Sequence, residues 1–429
     1  MIFNKIKDNK LLKVLSVNSL SVATSFILGM ASTKIISFVL GTSGMAILGS
    51  FRNFTSMLKS ITTLGMNTSL IKLYVENKNN KNELSVILST FFWFFLIIAL
   101  VVGFLTLVFA EFISDFIFFN LNFVLPIRVF SLLLPVIVLN VFWLTIYNGL
   151  EKINRIVAIQ IISNIFIFCV TAILVWNKNI KGGLYALVLG ELLMFIVTFI
   201  FVKKDKDYFT FELKKKINSK YLKIIINFSF MAFLSACIVP LTLILIRNYI
   251  VKMHSVNDAG LWDATTKLSS FYMSIFSSGL AYYYVPKLTS LKSNSEFKTE
   301  LKTYFQIFVP LFAMMLLIIY LFRGFILNLV FTDEFLKIKE VLIWQLLGDL
   351  VRVMTLAFGY QILVKSRFKD YFIIEILFNA SYLIISYFFV KNYSYQGALQ
   401  SYFYANLITL IVILFMFREL FISKIGTNN

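Results

Sequence analysis

Histidine and cysteine are scarce in this sequence, which limits the chemistry that it can support. The 429 residues include one histidine, His254, in a predicted loop, and two cysteines, Cys169 and Cys237, inside apolar runs. Buried small side chains are a more ordinary interpretation of these cysteines than a disulfide or a metal pair. No Walker A glycine loop is present, so ATP hydrolysis by the chain is not expected. The sequence therefore predicts no catalytic residues, no metal site and no cofactor.

Acidic residues are also few, since 21 Asp and Glu stand against 40 Lys and Arg, giving a net charge of +19. A strongly basic chain can indicate a nucleic-acid partner. Here, however, the basic residues lie mainly between apolar runs, which is where the positive-inside rule places them in membrane proteins. The charge therefore predicts contact with a phospholipid bilayer and no contact with nucleic acid.

Long polar segments are missing too, because 59% of the residues are hydrophobic and the mean hydropathy is +0.85. Successive apolar runs reach the roughly 20 residues that a helix needs to cross a bilayer. Only helices and closed barrels satisfy backbone groups in lipid, and barrel strands would be about 10 residues of alternating polarity. The sequence predicts an all-α polytopic membrane protein.

Twelve transmembrane helices are predicted, with short connectors between most of them. The predicted spans are 15–40, 45–72, 85–110, 124–147, 155–177, 183–202, 223–250, 259–286, 303–331, 341–364, 371–390 and 396–418. The longest break is lysine-rich and lies near the middle of the chain. We therefore expect an N-terminal lobe of six helices at 1–202, a basic cytoplasmic linker at 203–223, and a C-terminal lobe of six helices at 224–429.

The distribution of basic residues also predicts the topology. The N-terminal segment, the connectors after even-numbered spans and the C-terminal tail hold roughly two dozen lysines and arginines, and the other connectors hold far fewer. This asymmetry predicts that both termini are cytoplasmic. With six spans per lobe, both lobes enter the membrane in the same direction, as in transporters built from parallel repeats.

A polar stripe on the second span is the most informative local pattern. Within 41–74, seven residues at helical spacing are predicted to share one helix face that meets a wet cavity: Arg52, Thr55, Ser56, Lys59, Thr62, Thr63 and Met66. A second polar face is predicted within 260–288: Asp263, Thr266, Lys267, Ser270, Ser274, Ser277 and Ser278. Lys267 lies 215 residues after Arg52, and Lys287 lies 215 after Lys72, which indicates two related halves.

Ionisable residues inside predicted spans are candidates for function, because each costs about 2.5–3.5 kcal/mol on insertion scales. Most of the cations fall on the first two spans of each half. If these spans line one cleft, it is a cationic cavity that attracts a multiply charged anion. The predicted substrate-binding residues are Arg52, Lys34, Lys59, Arg247 and Lys267. The predicted ion-coupling residues are Asp263, Asp349, Arg352, Glu191 and Glu375.

Simpler roles for the same residues stay open. Lys34 and Lys59 can snorkel to an interface, as can Arg128 and Arg323 near span ends. The spacings of Asp349 with Arg352 and of Asp263 with Lys267 allow each pair to neutralise itself. Glu191 and Glu375 can each be a protonated packing residue, and the serines and threonines can bond across helices.

Four stretches resemble the Wzx flippases of the MOP superfamily, and the nearest pattern is the WzxE-like branch. Thr33–Phe54 resembles the end of their first span and the start of their second, and Asn148–Ile156 resembles the basic loop after their fourth. Ala259–Leu288 resembles their eighth span, with its Trp and aromatic cluster. Trp344–Phe368 resembles their tenth, with a Gly-Asp pair and Phe-Gly-Tyr.

This resemblance implies two six-helix lobes, MATE-like, around a central cavity. It implies alternating-access transfer of undecaprenyl-pyrophosphate-linked oligosaccharide repeat units, of O-antigen or a related surface polysaccharide, to the periplasmic leaflet of the bacterial inner membrane. Arg52 and Lys34 would contact the lipid pyrophosphate, and a proton or sodium gradient would drive the step. The polysaccharide polymerase and the chain-length regulator are the implied protein partners.

Two other classes remain as alternatives. A MATE-type exporter of small cations would share the architecture, but its cavity should be dominated by carboxylates, whereas Lys and Arg dominate the leading spans here. A polysaccharide polymerase would be an enzyme with a large periplasmic loop. The longest loop here is lysine-rich and predicted to be cytoplasmic, which disfavours an enzyme.

Overall fold

The computed structural model describes residues 10–209, 213–214, 217–291 and 293–422, and helices dominate this part of the chain. We number the helices in chain order. They are α1 (Lys10–Thr63), α2 (Met66–Glu76), α3 (Lys81–Val108), α4 (Ala110–Phe118), α5 (Val124–Gly149), α6 (Ile153–Lys204), α7 (Ser219–Met253), α8 (Val256–Ser290), α9 (Asn294–Thr303), α10 (Val309–Leu321), α11 (Arg323–Val330), α12 (Ile338–Val364), α13 (Phe368–Met416) and α14 (Glu419–Ile422). No β-strand occurs among the described residues.

Three of the long helices each contain one residue with non-helical backbone angles, which divides the helix in two. These residues are Gly41 in α1, Asn179 in α6 and Ser394 in α13. Each falls in a connector that the sequence predicts between two successive spans. Within the described residues, eight helical stretches are long and apolar enough to cross a membrane. The all-α membrane fold is confirmed, and the count of twelve spans stays a prediction.

The predicted second span is too long at its C-terminal end. The sequence predicts one span over 45–72, but α1 ends at Thr63 and α2 begins at Met66. Gly65 lies between them in the left-handed region, with φ of 69°. Glycine adopts this conformation without the steric cost that a Cβ imposes, so it ends the helix inside an otherwise helical pattern.

The predicted ninth span is also divided, because the expected single helix over 303–331 is several shorter pieces. A π-helical turn, Tyr304–Phe308, leads into α10, and α11 begins after Phe322, whose backbone is not helical. A hydrophobic pattern runs through these breaks, so hydropathy alone does not reveal them.

The chain divides into two compact units. Unit 1 comprises Met1–Leu40 and Ser50–Pro240, and unit 2 comprises Gly41–Gly49 and Leu241–Asn429. The predicted lobes at 1–202 and 224–429 and the linker at 203–223 stay a prediction.

In unit 1, α5 packs against α2, α3 and α6. Its large apolar side chains are fully buried, including Ile127 and Leu134, and α3 contributes Phe91 and Phe95 to the same interior. Burial of this kind, on helices that also expose large apolar side chains such as Phe104 and Leu132, is expected for bundles whose outer surface meets lipid.

In unit 2, α12 packs against α8, α10 and α13. Aromatic side chains fill this interior, and Trp262, Tyr382 and Tyr402 are almost completely buried. Tyrosine brings a hydroxyl with its ring, and a buried hydroxyl requires a hydrogen-bond partner. The core of unit 2 therefore contains polar groups as well as apolar ones.

Candidate functional site

The basic residues of α1 lie on both sides of the break at Gly41. Lys34 precedes the break and Arg52 follows it, and both side chains are half-buried. Thr55, one turn after Arg52, donates its hydroxyl to the Arg52 carbonyl at 3.1 Å. The hydroxyl of this threonine is therefore hydrogen-bonded within its own helix and needs no partner from another helix.

Lys59 and Glu191 form an ion pair inside unit 1. The Lys59 Nζ lies 2.8 Å from Oε1 and 2.9 Å from Oε2 of Glu191, which joins α1 to α6. The side chains are 34% and 22% exposed, so the pair is only partly removed from solvent or lipid. Each charge compensates the other, which lowers the cost of holding either in a membrane.

The predicted polar stripe on α1 is only partly correct. Thr62 is completely buried, and Met66 is 1% exposed and lies on the next helix, α2. Thr62 donates its hydroxyl to the Leu58 carbonyl at 2.9 Å. The helix break at Gly65 ends the 3.6-residue period, so residues beyond it no longer follow the face of Arg52.

The predicted polar face of α8 is largely accessible. Thr266, Lys267, Ser277 and Ser278 are half-buried, and Ser270 and Ser274 are exposed. The Lys267 Nζ lies 5.2 Å from the centre of the Phe271 ring, within range of a cation–π contact. Asp263 is the exception, because it is 7% exposed and points into the core of unit 2.

Arg247 and Asp263 form a buried, two-pronged ion pair between α7 and α8. Nε of Arg247 donates to Oδ2 at 2.6 Å and Nη2 donates to Oδ1 at 2.6 Å. The Arg247 guanidinium also lies 5.6 Å from the centre of the Trp262 ring. The structure thus pairs Asp263 with an arginine on the neighbouring helix. The sequence alone also allows a pair with Lys267, one turn further along the helix of Asp263. Such paired geometry is the strongest form of arginine–carboxylate contact.

Asp349, on α12, is completely buried and surrounded by donors. Its carboxylate accepts hydrogen bonds from four side chains on three helices: Ser269 Oγ at 2.6 Å, Tyr272 Oη at 2.5 Å, Tyr402 Oη at 2.9 Å and Gln345 Nε2 at 3.2 Å. A carboxylate without partners would not be tolerated in such a core, and these donors replace the lost water.

Arg352 reaches Asp349 through a tyrosine. Nη1 of Arg352 donates to the Tyr402 hydroxyl at 3.4 Å, and that hydroxyl donates to Asp349. Arg352 also interacts electrostatically with Glu375, which is half-buried on α13. The structure therefore brings together Asp349, Arg352 and Glu375, and places Tyr402 between the first two.

Tyr382 lies near both acidic centres of unit 2. It is 2% exposed, its ring packs edge-on against Tyr402 at 5.7 Å, and it lies within electrostatic range of both Asp263 and Asp349. These polar residues form one group, in which Arg352 is exposed and Glu375 is half-buried. We call it the unit 2 network: Arg247, Asp263, Ser269, Tyr272, Gln345, Asp349, Arg352, Glu375, Tyr382 and Tyr402.

Sequence reasoning found the charged members of this network and missed the others. Ser269 and Tyr272 lie on the face of α8 opposite the predicted polar stripe, and Tyr382 and Tyr402 lie in apolar runs of α13. Tyrosine inside a span was the available signal, because a buried phenol needs a polar partner. Among the described residues, no group of three or more His, Cys, Asp and Glu side chains is arranged to hold a metal ion.

Comparison with known proteins identifies relatives over most of the chain. The family model "Polysaccharide biosynthesis protein" matches residues 11–292, well over half of the sequence. The Lipid III flippases of Escherichia coli (strain K12) and Shigella flexneri are each 21% identical over 385 residues, which covers 87% of this chain and 90% of the relative.

Two solved structures show the same fold. An inward-facing multidrug resistance MATE family transporter of the MOP superfamily aligns with a TM-score of 0.77 at 14% identity, over 97% of this chain and 100% of the other. The Lipid II flippase MurJ in its inward closed conformation aligns with a TM-score of 0.74 at 16% identity, over 96% of this chain and 93% of the other. At these identities the likeness establishes the fold alone.

These findings confirm three predictions. The fold is that of the MATE transporter and MurJ structures, the relatives are flippases and transporters rather than enzymes, and the chain is a multi-pass membrane protein. The cytoplasmic termini stay a prediction. Sequence match and fold agree that the chain belongs to the polysaccharide biosynthesis protein family.

Proposed function

We propose that this protein is a flippase for undecaprenyl-pyrophosphate-linked oligosaccharide, carrying repeat units of O-antigen or a related surface polysaccharide from the cytoplasmic to the periplasmic leaflet. The observation that carries the proposal is the likeness to the Lipid III flippases, which extends over nearly the whole of both chains. The family match, described by polysaccharide biosynthesis, supports the same substrate class.

The physical problem in such a transfer is the pyrophosphate, because desolvating its charges in hydrocarbon costs far more than a protein's net stability. Basic side chains that replace the lost water solve this problem. Arg52, Lys34 and Lys267 are half-buried and are the contacts that we propose. Lys59 would exchange Glu191 for phosphate, and Arg247 would act through its pairing with Asp263.

We further propose that the acidic residues couple transfer to a proton or sodium gradient. Asp349 accepts from four donors, so adding a proton or a cation to its carboxylate must break or redirect at least one hydrogen bond. Such a change would pass to Arg352 through Tyr402 and to Asp263 through Tyr382. Glu375 and Glu191 are the remaining coupling candidates.

The polysaccharide polymerase and the chain-length regulator are the protein partners that we propose.

A leaflet-accessibility assay tests the function. The purified protein is reconstituted in liposomes with a labelled polyprenyl-pyrophosphate oligosaccharide, and an added enzyme modifies only the sugar in the outer leaflet. Protein-dependent equilibration between leaflets is the expected result. If the label stays in its leaflet under imposed proton and sodium gradients, the flippase proposal is wrong, and export of small cations is the next activity to assay.

Arg52→Ala is the first variant to test in this assay. Loss of charge-assisted hydrogen bonds, each worth about 1.5–3 kcal/mol, predicts a transfer rate lower by about 10- to 100-fold. Arg418→Ala, which removes an exposed arginine near the end of the last predicted span, should transfer at the wild-type rate. Wild-type transfer by Arg52→Ala would overturn the assigned pyrophosphate contact and leave the flippase proposal standing.

A further inference from the structure

Two short helices, α4 and α11, directly follow the apolar helices α3 and α10, and a sequence pattern recurs in and beside them. Four aromatic or aliphatic residues recur at a spacing of 213 residues: Phe109 and Phe322, Phe112 and Phe325, Ile113 and Ile326, and Phe118 and Phe331. This spacing is within two residues of the spacing between Arg52 and Lys267. The two helices therefore occupy equivalent places in the two related halves of the sequence.

The surface of α4 divides into three faces. Ala110, Ser114 and Ile117 form a buried face, with exposed fractions of 0%, 0% and 4%. A second face is apolar and exposed, and its members are Phe112 and Phe116. A third face carries Glu111 and Asp115, which are also exposed. At 100° per residue, the acidic face lies on one side of the phenylalanines and the buried face lies on the other.

The surface of α11 repeats this division. Leu327 and Val330 are fully buried, Phe325 and Leu329 are 68% and 56% exposed, and Asn328 takes the place of Asp115 on the polar face. The agreement extends to the degree of exposure, since Phe112 is 70% exposed at the position equivalent to Phe325. Two separate segments of the chain thus arrive at the same three-faced arrangement.

An exposed apolar face beside an exposed polar face is the pattern of a helix that lies in the plane of a membrane interface. Each helix begins within two residues of the end of an apolar helix, α3 or α10, and the residue between the two helices, Phe109 or Phe322, has a non-helical backbone. The rings of Phe112 and Phe116 stack at 6.3 Å and form one apolar ridge. In water this ridge would be unfavourable, whereas at the boundary between headgroups and acyl chains it is solvated by lipid.

A basic side chain lies close to each apolar face without being part of it: Arg128 is on the neighbouring helix α5, and Arg323 is the first residue of α11. Arg128 Nη2 contacts Glu111 Oε1 at 2.9 Å, and Arg323 donates to the Tyr320 carbonyl at 2.8 Å while lying 4.2 Å from that tyrosine's ring centre. Aromatic and arginine side chains are enriched at the level of lipid headgroups. The apolar ridge of α4 contains no lysine or arginine, so it suits acyl chains better than a pyrophosphate.

We propose that α4 and α11 are a matched pair of interfacial helices that bind the phospholipid bilayer itself. Phe112 and Phe116 of α4, and Phe325 and Leu329 of α11, insert into the boundary between headgroups and acyl chains. The predicted order of spans assigns both helices to the non-cytoplasmic leaflet. Each half of the chain then has its own anchor at a fixed depth, independent of the transported substrate.

Spin labelling of the full-length chain tests this proposal without substrate. Cys169 and Cys237 are first replaced by serine, and single cysteines are introduced on the apolar faces by Phe112→Cys and Phe325→Cys. Asp115→Cys and Asn328→Cys are the matched controls on the polar faces. The labelled proteins are reconstituted in phosphatidylethanolamine–phosphatidylglycerol vesicles, and the accessibility of each label to oxygen and to a water-soluble nickel chelate is measured.

We expect labels at 112 and 325 to be accessible to oxygen and shielded from nickel, with the opposite result at 115 and 328. Labels at 112 and 325 that nickel reaches as readily as the controls would place the helices in water and overturn the proposal. Labels that neither reagent reaches would place the ridge against protein and also overturn it. Phe116→Cys and Leu329→Cys provide a second pair if a first variant fails to fold.

Discussion

Arg247 and Asp263 place a complete ion pair in the core of unit 2, with exposed fractions of 1% and 7%. Withdrawing two charges from water is expensive, and close two-pronged geometry is needed to recover that cost. The pair therefore has little to contribute to net stability, yet neither partner can be removed alone. This asymmetry distinguishes it from the ion pair of Lys59 with Glu191, which is partly exposed and tolerates loss of one charge more easily.

Asp263→Asn should be strongly destabilising, because it leaves the buried Arg247 without its principal counter-charge. We expect unfolding in detergent to require about 3–5 kcal/mol less free energy, the usual cost of breaking a buried pair. Asp207→Asn, at an exposed carboxylate, should change this free energy by less than about 0.5 kcal/mol. The double replacement of Arg247 by Met and Asp263 by Leu should be milder than Asp263→Asn. Wild-type stability of Asp263→Asn would contradict the assigned pairing.

At the scale of the helix, Gly49 is required by the close approach of Asp263. A Cβ placed on Gly49 would lie 2.6 Å from the Asp263 carboxylate, far inside van der Waals contact. The segment Gly41–Gly49 belongs to unit 2 and packs on α8, where Thr42 donates its hydroxyl to Asn257 Oδ1 at 3.0 Å. The position of the ion pair and the position of this segment thus depend on each other.

Gly49→Ala should disrupt this packing, whereas Gly279→Ala in α8 should not, because a Cβ at Gly279 meets nothing within 4 Å. We expect Gly49→Ala to lower the free energy of unfolding by about 1–3 kcal/mol, as overpacked cores do. Gly279→Ala should be neutral or stabilising by up to about 1 kcal/mol, because alanine favours the helix. Thermal unfolding of both variants in the same detergent provides the comparison, and equal melting temperatures would refute the close contact.

The sequence predicts the elements that have a strong hydrophobic or charge pattern. It does not reveal a break within a helix or the neutral polar side chains that complete the unit 2 network. Hydrophobic runs predicted the helices, and charges in those runs singled out Asp349 and Arg352, because charge is costly there. The break at Gly65 was missed, since one glycine in a helix costs only about 1 kcal/mol and many helices tolerate it. Ser269 and Tyr402 were missed because hydroxyl-bearing residues occur freely in spans and carry no charge to mark them.

At the scale of the whole molecule, repetition is the main organising feature. The spacing of 215 residues between Arg52 and Lys267 and of 213 between Phe112 and Phe325 relates the two halves of the sequence. Repeats of six spans each enter the membrane in the same direction, because an even number of crossings returns the chain to its starting side. Equivalent positions of the two halves should therefore lie on the same side of the membrane.

Cysteine accessibility in intact cells tests this topology. Lys178 and Asp207 are exposed at opposite ends of the predicted sixth span, and Lys391 and Lys369 are exposed at opposite ends of the predicted eleventh. In a background without Cys169 and Cys237, an impermeant maleimide supplied from the periplasm should label Lys178→Cys and Lys391→Cys and spare Asp207→Cys and Lys369→Cys. Permeabilised cells, in which all four variants should react, control for folding and exposure. Labelling of 178 together with 369 would mean that the halves are inverted, and labelling of 207 would mean that the charge asymmetry had been assigned to the wrong side.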